Sequence, residues 1–360
     1  MVYDLGALSN AKQADSYVRR KEVKKNFLVV LVSVLVLGSL LLGACAQPTA
    51  APTQAPVPPT AAPTVAPTVE PTAVPLGTAD NPIIIALAPS ATADQLTVGG
   101  DAIAKELNTL TGYTFKVTIP NSYTALIEAM ASGNAHVGFM PTFAYLLAKQ
   151  KNAAEVALVV VRNGSDFYGA QFIANVASGF TSYFDAATNK NTADAATALA
   201  QFADKRPCFT DPLSVSGYII PGGLLAQYGV KYKTPAAVQG HPAVVAALYV
   251  GGICDFGATY IDARTSDKTH ADVMDKIAVI WRTDNIIPND NVSFSTAMPA
   301  DMKDKVVQAL LSMGDSDAGK EILKNMGFEI QGFKVAEDSF YDPFRAALQA
   351  SGIDITTMVK

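Results

Sequence analysis

The run Phe209-Thr210-Asp211-Pro212-Leu213-Ser214-Val215-Ser216-Gly217-Tyr218 concentrates more potential chemistry than any other stretch of this chain. An apolar segment ends at Asp-Pro, and a Ser-x-Ser-Gly turn opens onto a helical pattern. The first N–H groups of a helix lack intrahelical acceptors and carry the positive end of its dipole. Hydroxyls at Ser214 and Ser216 would add two donors to such an oxyanion site. The same residues also serve as ordinary helix caps, which demand no ligand. Two other junctions share this ambiguity: Gly138-Phe139-Met140-Pro141-Thr142-Phe143, where Thr142 is cap or donor, and Asn121-Ser122-Tyr123, where Tyr123 reaches a ligand or merely packs. His241, between Gly240 and Pro242, stands at a further helix start. Asp262, beyond Asp255–Tyr260, and Asp290, within Ile286–Asn291, are two further carboxylates to weigh, although a plain surface position is the usual fate of Asp.

Other chemistries lack their residues. The 3 histidines, His136, His241 and His270, are scattered, with no Cys or Glu at ligand spacing, which argues against a metal site. There is no Gly-x-Ser-x-Gly elbow, phosphate-binding P-loop or dinucleotide fingerprint. Nothing in the pattern requires an enzyme or a cofactor.

The elements that must position these residues alternate. Apolar strands read at Pro82–Ala88, Tyr113–Ile119, His136–Met140, Val156–Val161 and Gly169–Ala174, with helices at Leu96–Leu110, Tyr123–Ala131 and Thr142–Lys149 between the earlier ones. A second series follows an aromatic, polar stretch around Ala177–Asn191: strands at Arg206–Thr210 and Ile253–Ala258, helices at Gly217–Tyr228 and Ala243–Leu248. The chain then returns to the first series near Trp281–Phe294 and ends in helices at Met302–Met313, Ala318–Met326 and Asp342–Ser351. Short loops between alternating strands and helices predict mostly parallel α/β sheets in two lobes, with lobe 1 over residues 81–174 and 284–360 and lobe 2 over 175–283. Open α/β sheets bind ligands at the carboxyl ends of their strands, so the cleft between lobes is the expected site.

Arg19, Arg20, Lys21, Lys24 and Lys25 precede an uncharged apolar run from Phe27 to Leu42 and then Leu42-Gly43-Ala44-Cys45. This reads as an export signal over residues 1–44, with Cys45 as the lipidated residue. The run is also long enough for a retained signal anchor, and either reading tethers the chain outside the cytoplasm. Residues 45–80 form a Pro/Thr/Ala-rich linker whose composition cannot bury enough surface to offset chain entropy. At about 3.1 Å per residue its proline-rich part would span roughly 90 Å. The first 44 residues hold six Lys/Arg and three Asp/Glu, leaving 21 basic against 29 acidic residues, a formal charge of −8. A nucleic-acid face is therefore not expected, and an anion would have to be held by oriented dipoles and hydroxyls. Cys208 and Cys254 sit at predicted strand ends, either bridged or as two buried thiols.

Taken in order, the Tyr123 helix, Gly138–Tyr145, Asp211–Pro221, Gly240-His241, Asp255–Asp262 and Trp281–Asp290 resemble the phosphonate-, phosphite- and phosphate-binding receptors of ABC importers. The likeness runs from about Pro82 to Phe344. It implies the two-lobed type II periplasmic-binding-protein fold, a monomer that closes on its ligand, and permease and ATPase subunits as partners. It further implies that phosphorus oxygens are held at Ser214, Val215 and Ser216 and by donors at Tyr123, Thr142 and His241. Asp262 and Asp290 would accept a hydrogen bond from a ligand P–OH or amine. Val215 departs from the expected hydroxyl, so only its backbone N–H can contribute. A sensor of the same fold without transport, or a secreted phosphoester hydrolase, are the competing readings; the hydrolase would need a nucleophile with a base, or a metal cluster.

Overall fold

The computed structural model describes residues 74–326 and 330–350; the expected export signal, Cys45 and most of the Pro-Thr linker lie outside the described residues. In chain order the first lobe's elements are β1 (Ile83–Leu87), α1 (Ala93–Thr111), β2 (Phe115–Thr118), α2 (Tyr123–Ala131), β3 (Val137–Met140), α3 (Thr142–Gln150) and β4 (Ala154–Arg162). After β5 (Phe167–Tyr168) come β6 (Ala170–Asn175), β7 (Phe184–Asp185), β8 (Lys190–Asn191), α4 (Ala195–Leu199) and β9 (Pro207–Phe209). A π-helical turn, Val215–Ile219, then leads into α5 (Ile220–Gln227), β10 (Ala236–Ala237), α6 (His241–Val250), β11 (Phe256–Tyr260), α7 (Val273–Lys276) and β12 (Ile277–Arg282). The chain closes with β13 (Ile287–Pro288), β14 (Asn291–Ser295), α8 (Ala300–Asp315), α9 (Asp317–Lys324), β15 (Ile330–Val335) and α10 (Asp342–Ala350).

Two sheets organise these elements, a six-stranded one ordered β15-β4-β14-β3-β1-β2 and a five-stranded one ordered β10-β9-β11-β6-β12. Pairing is mixed. β1 runs parallel to β2 and β3, whereas β14 is antiparallel to both β3 and β4, and β15 is antiparallel to β4. The cause is connectivity. The chain leaves the first sheet at the end of β4 and re-enters it through β14 from the opposite direction, so the returning strand must be reversed. In the second sheet β9 is parallel to β10 and β11, while β6, which comes over from the first lobe, is antiparallel to β11 and β12. The strand at Ala170–Asn175, read from sequence as part of the first lobe, therefore belongs to the second sheet. An apolar run carries no label for the sheet it joins, and its partners Phe256–Tyr260 and Ile277–Arg282 lie far along the chain.

Each sheet is covered on both faces. One layer of the first lobe buries Ile85, Leu96, Ile103, Leu107, Val306 and Leu310 beneath α1, α8 and α9; the other buries Leu126, Phe143, Tyr145 and Tyr341 beneath α2, α3 and the C-terminal segment. α1 starts with a capping box in which Thr92 and Gln95 satisfy each other's N–H groups, a feature typically worth about 1 kcal/mol. The second lobe packs α6 over one face, with Val244, Val245 and Leu248 inward, and a stacked Phe202–Phe256 pair at 4.0 Å over the other. A Cys208–Cys254 disulfide, Cα–Cα 5.5 Å, joins β9 to the loop entering β11. Two crossovers connect the lobes. They are held together by the β5–β13 pairing and by Asn289, whose side-chain N–H groups donate to Val160 O (3.0 Å) and Ser165 O (2.8 Å). Among the described residues no helix is long and apolar enough to cross a membrane.

Candidate functional site

The carboxyl ends of β1, β3 and β4 face those of β9 and β11, and between them lies a small cavity of about 20 Å³. The first lobe contributes Ser90 after β1, Tyr123 at the start of α2, Pro141 after β3 and Arg162 at the end of β4. Ser214, Val215, Ser216, His241 and Tyr260 come from the second, and Tyr168 and Asp290 from the two crossovers.

The turn at Ser214 is the best-defined part. Ser214 is the cap of the π-helical turn, its Oγ accepting from Gly217 N at 3.2 Å. A single carbonyl, Ser214 O, accepts from both Tyr218 N (3.1 Å) and Ile219 N (3.0 Å), which widens the turn. The N–H groups of Val215 and Ser216 stand ahead of any intrahelical acceptor and are free to serve a ligand. Such π-turns recur at functional sites. Gly217 is required here: a Cβ at this position would lie 2.0 Å from Thr210 Oγ1 and 3.0 Å from Ser214 Oγ. Ser216 Oγ is buried beside the Tyr168 phenol, which stands within hydrogen-bonding reach of it.

His241 is the first residue of α6, only 4% exposed, with its ring edge-on to Tyr260 at 4.8 Å. Burial, reinforced by the Arg162 charge, pushes its imidazole down to about 3, so the ring is neutral at ordinary pH. Its Nδ1 has no partner. Tyr123 and Tyr168 are both held well above the usual phenol range, chiefly by burial and secondly by the Asp290 charge, so both remain O–H donors. Asp290 is half-buried at the cavity wall; burial raises its carboxyl above the ordinary range and Arg162 opposes the rise. Asp290 is placed by its own backbone, whose carbonyl accepts from Val160 N at 2.8 Å.

Of the eight ligand positions read from sequence, Tyr123, Ser214, Val215, Ser216, His241 and Asp290 line this one cavity. Thr142 and Asp262 do not. Thr142 Oγ1 donates to Pro288 O at 2.7 Å, tying α3 to a crossover strand, because that carbonyl is its nearest acceptor. Asp262 adopts φ 64°, which turns the chain away after β11; its carboxylate pairs with Arg282 at 2.6 Å and Arg264 at 3.3 Å and is 46% exposed. Tyr260, two residues earlier, takes the place at the cavity. Sequence reasoning missed Arg162, Ser90, Tyr168 and Tyr260. Arg162 also revises the expectation that dipoles and hydroxyls alone would meet an anion, since a guanidinium lines the cavity, 5.0 Å from the Tyr260 ring centroid. Its position at the carboxyl end of β4 was the available signal.

A profile described as "ABC transporter, phosphonate, periplasmic substrate-binding protein" matches residues 85–341. The phosphate-import protein PhnD of Mycolicibacterium smegmatis is 27% identical over 260 residues, covering 68% of this chain and 75% of that protein. Among solved structures, a binding-protein component of an ABC phosphonate transporter from Pseudomonas aeruginosa aligns with a TM-score of 0.65 at 19% identity, over 75% of this chain and 86% of its own. PhnD1 from Prochlorococcus marinus, solved in complex with methylphosphonate, aligns at 0.64 and 15% identity, over 76% and 98%. At these identities the structural likenesses speak for the two-lobed fold, while the profile spans most of the chain. Such proteins are extracytoplasmic receptors of importers rather than enzymes, with a small ligand and with permease and ATPase subunits as partners. The chain thus belongs to the family of periplasmic phosphonate-binding proteins of ABC transporters.

Proposed function

We propose that this chain captures a small phosphorus oxyanion (a phosphonate, phosphite or phosphate ester) in the interlobe cavity for delivery to an ABC importer. The observation that carries this reading is the buried, unpartnered His241 Nδ1, lining the same small cavity as the Ser216 hydroxyl and the Val215 and Ser216 N–H groups. Buried polar atoms are nearly always hydrogen-bonded, so this nitrogen calls for a polar occupant. Arg162 offers the positive charge an anion needs. Asp290 would repel a fully ionised anion unless a ligand proton lies between them, which favours a P–OH or an ammonium group over sulfate. The cavity's size suits a compact tetrahedral ion with few substituents.

Calorimetric titration with phosphite, methylphosphonate, 2-aminoethylphosphonate, phosphate and sulfate tests the reading: at least one phosphorus ligand should bind and sulfate should bind least. Binding of none of them, or of sulfate best, overturns it. In Asp290→Asn the preference for phosphate over sulfate should shrink by roughly tenfold or more, the worth of a hydrogen bond to a charged group. The same variant has a stability signature. A carboxyl whose folded pKa is raised contributes stability that is present below its unfolded pKa of about 4 and lost as pH rises through the folded value. Unfolding of ligand-free Asp290→Asn at successive pH values should lack that loss, so the variant gains on the wild type towards neutral pH.

The chain would be held at the outer face of the membrane, as a monomer, by diacylglycerol on Cys45, with the Pro-Thr linker as spacer. Cys45→Ser should abolish incorporation of labelled fatty acid and release the protein from the membrane fraction; retention of the label would place the lipid elsewhere.

A further inference from the structure

The carboxylate of Asp211 is turned towards the opposite lobe. Its Oδ2 accepts from the backbone N–H of Tyr123, the first residue of α2, at 3.1 Å, across 88 residues of sequence. The other oxygen, Oδ1, accepts from Leu213 N at 2.8 Å, and the Asp211 carbonyl accepts from Ser214 N at 2.8 Å. One residue therefore shapes the entry to the Ser214 turn and also occupies the positive end of a nine-residue helix in the other lobe. A second backbone contact crosses the cleft nearby, His241 N donating to Ser90 O at 3.3 Å. There Gly240 has φ 79°, and a Cβ would approach Ser90 O to 3.2 Å, so a side chain would hold the lobes apart. Tyr123, Ser90 and His241 line the cavity, and Asp211 lies three residues before Ser214, which lines it too.

From this geometry we infer that Asp211 is the positioning residue of closure: its charge latches α2 of the first lobe onto the ligand-binding turn of the second. The bond lies wholly within the chain, so it is available whether or not a ligand is present. It also fills the N-terminus of α2 with the protein's own anion, which leaves the Ser214–Ser216 turn as the open anion site. A ligand captured in the cavity is then retained by a gate whose opening breaks a charge-assisted hydrogen bond. The Asp-Pro dipeptide suits this role, because the residue before proline is pressed into extended geometry, away from a helical one.

The test uses the full chain and two readouts. Hydrogen exchange at the Tyr123 amide, followed by NMR in the ligand-free protein, should be slow in the wild type and at least tenfold faster in Asp211→Ala, since the first N–H of a helix has no intrahelical partner to protect it. Stopped-flow release of inorganic phosphate should be roughly 10- to 100-fold faster in Asp211→Ala, with the association rate little changed. Asp211→Asn keeps the local turn at Leu213 but not the charge, and should fall between the two; it remains informative if the alanine variant folds poorly. Equal Tyr123 exchange in the wild type and both variants overturns the latch, as does an unchanged phosphate release rate. The release measurement rests on the ligand reading above, whereas the exchange measurement needs no ligand, so failure of one is distinguishable from failure of the other.

Discussion

Gly217→Ala is expected to weaken phosphate binding by roughly 10- to 100-fold and to destabilise the protein by about 1–3 kcal/mol, the usual cost of forcing an extra methyl into a packed site. The new Cβ would meet Thr210 Oγ1 at 2.0 Å and Thr210 Cγ2 at 2.9 Å. Thr210 is 3% exposed and β-branched, so neither of its γ atoms can swing out into solvent. The π-helical turn must then move, and with it the N–H groups of Val215 and Ser216. Gly223, six residues along in α5, supplies the control. A Cβ there meets nothing within 4 Å, so Gly223→Ala should leave binding unchanged and stabilise the helix by up to about 1 kcal/mol. Calorimetry for binding and urea titration for stability read both effects. If Gly217→Ala bound phosphate as the wild type does, the turn could not be the oxyanion cradle.

Removing the Cys208–Cys254 bridge as the double alanine variant is expected to cost about 2–4 kcal/mol, a fall of roughly 5–10 °C in melting temperature for a folded unit of this size. The bridge spans a sequence separation of 46, and the loop it closes carries the Ser214 turn and His241, two of the second lobe's cavity-lining elements. Its constraint acts mainly on the unfolded chain, so the native cavity should survive. Phosphate affinity below the melting range should then change far less than stability does. Melting curves of the double variant, and of the wild type under reducing conditions, should agree with each other; a melting temperature unmoved by either treatment would mean the bridge does not form in solution.

How far the site could be read in advance follows from what kind of signal each residue leaves. Ser214, Ser216 and His241 stand at helix starts, and helix starts are local: a cap, a glycine and a change of hydrophobic period mark them within a few residues. The helix predicted at Tyr123–Ala131 has those same bounds in the structure, for Ser122 caps it and accepts from Ala125 N at 3.1 Å. Asp290 takes its ligand role from likeness, and the burial that raises its pKa, opposed by Arg162 at the end of β4, is a product of tertiary packing rather than of its neighbours in sequence. Thr142 and Asp262 stand away from the cavity for one reason. A hydroxyl or carboxylate at the right junction still goes to whichever partner folding brings closest, Pro288 O for one and Arg282 with Arg264 for the other.

By itself the sequence determined the alternation of strands and helices, the division into two lobes and the capped helix start at Ser214–Ser216, because periodicity and capping act over a few residues. Tertiary structure alone decided which sheet Ala170–Asn175 joins, that the returning strand Asn291–Ser295 runs antiparallel, and that Cys208 and Cys254 meet. It also brought Arg162, Tyr168 and Tyr260 to the cavity and Asp211 to the N-terminus of the opposite lobe's helix. Each of these is a contact between segments tens of residues or more apart, and such contacts are set by how two whole sheets pack and cross over, which no short window of residues records.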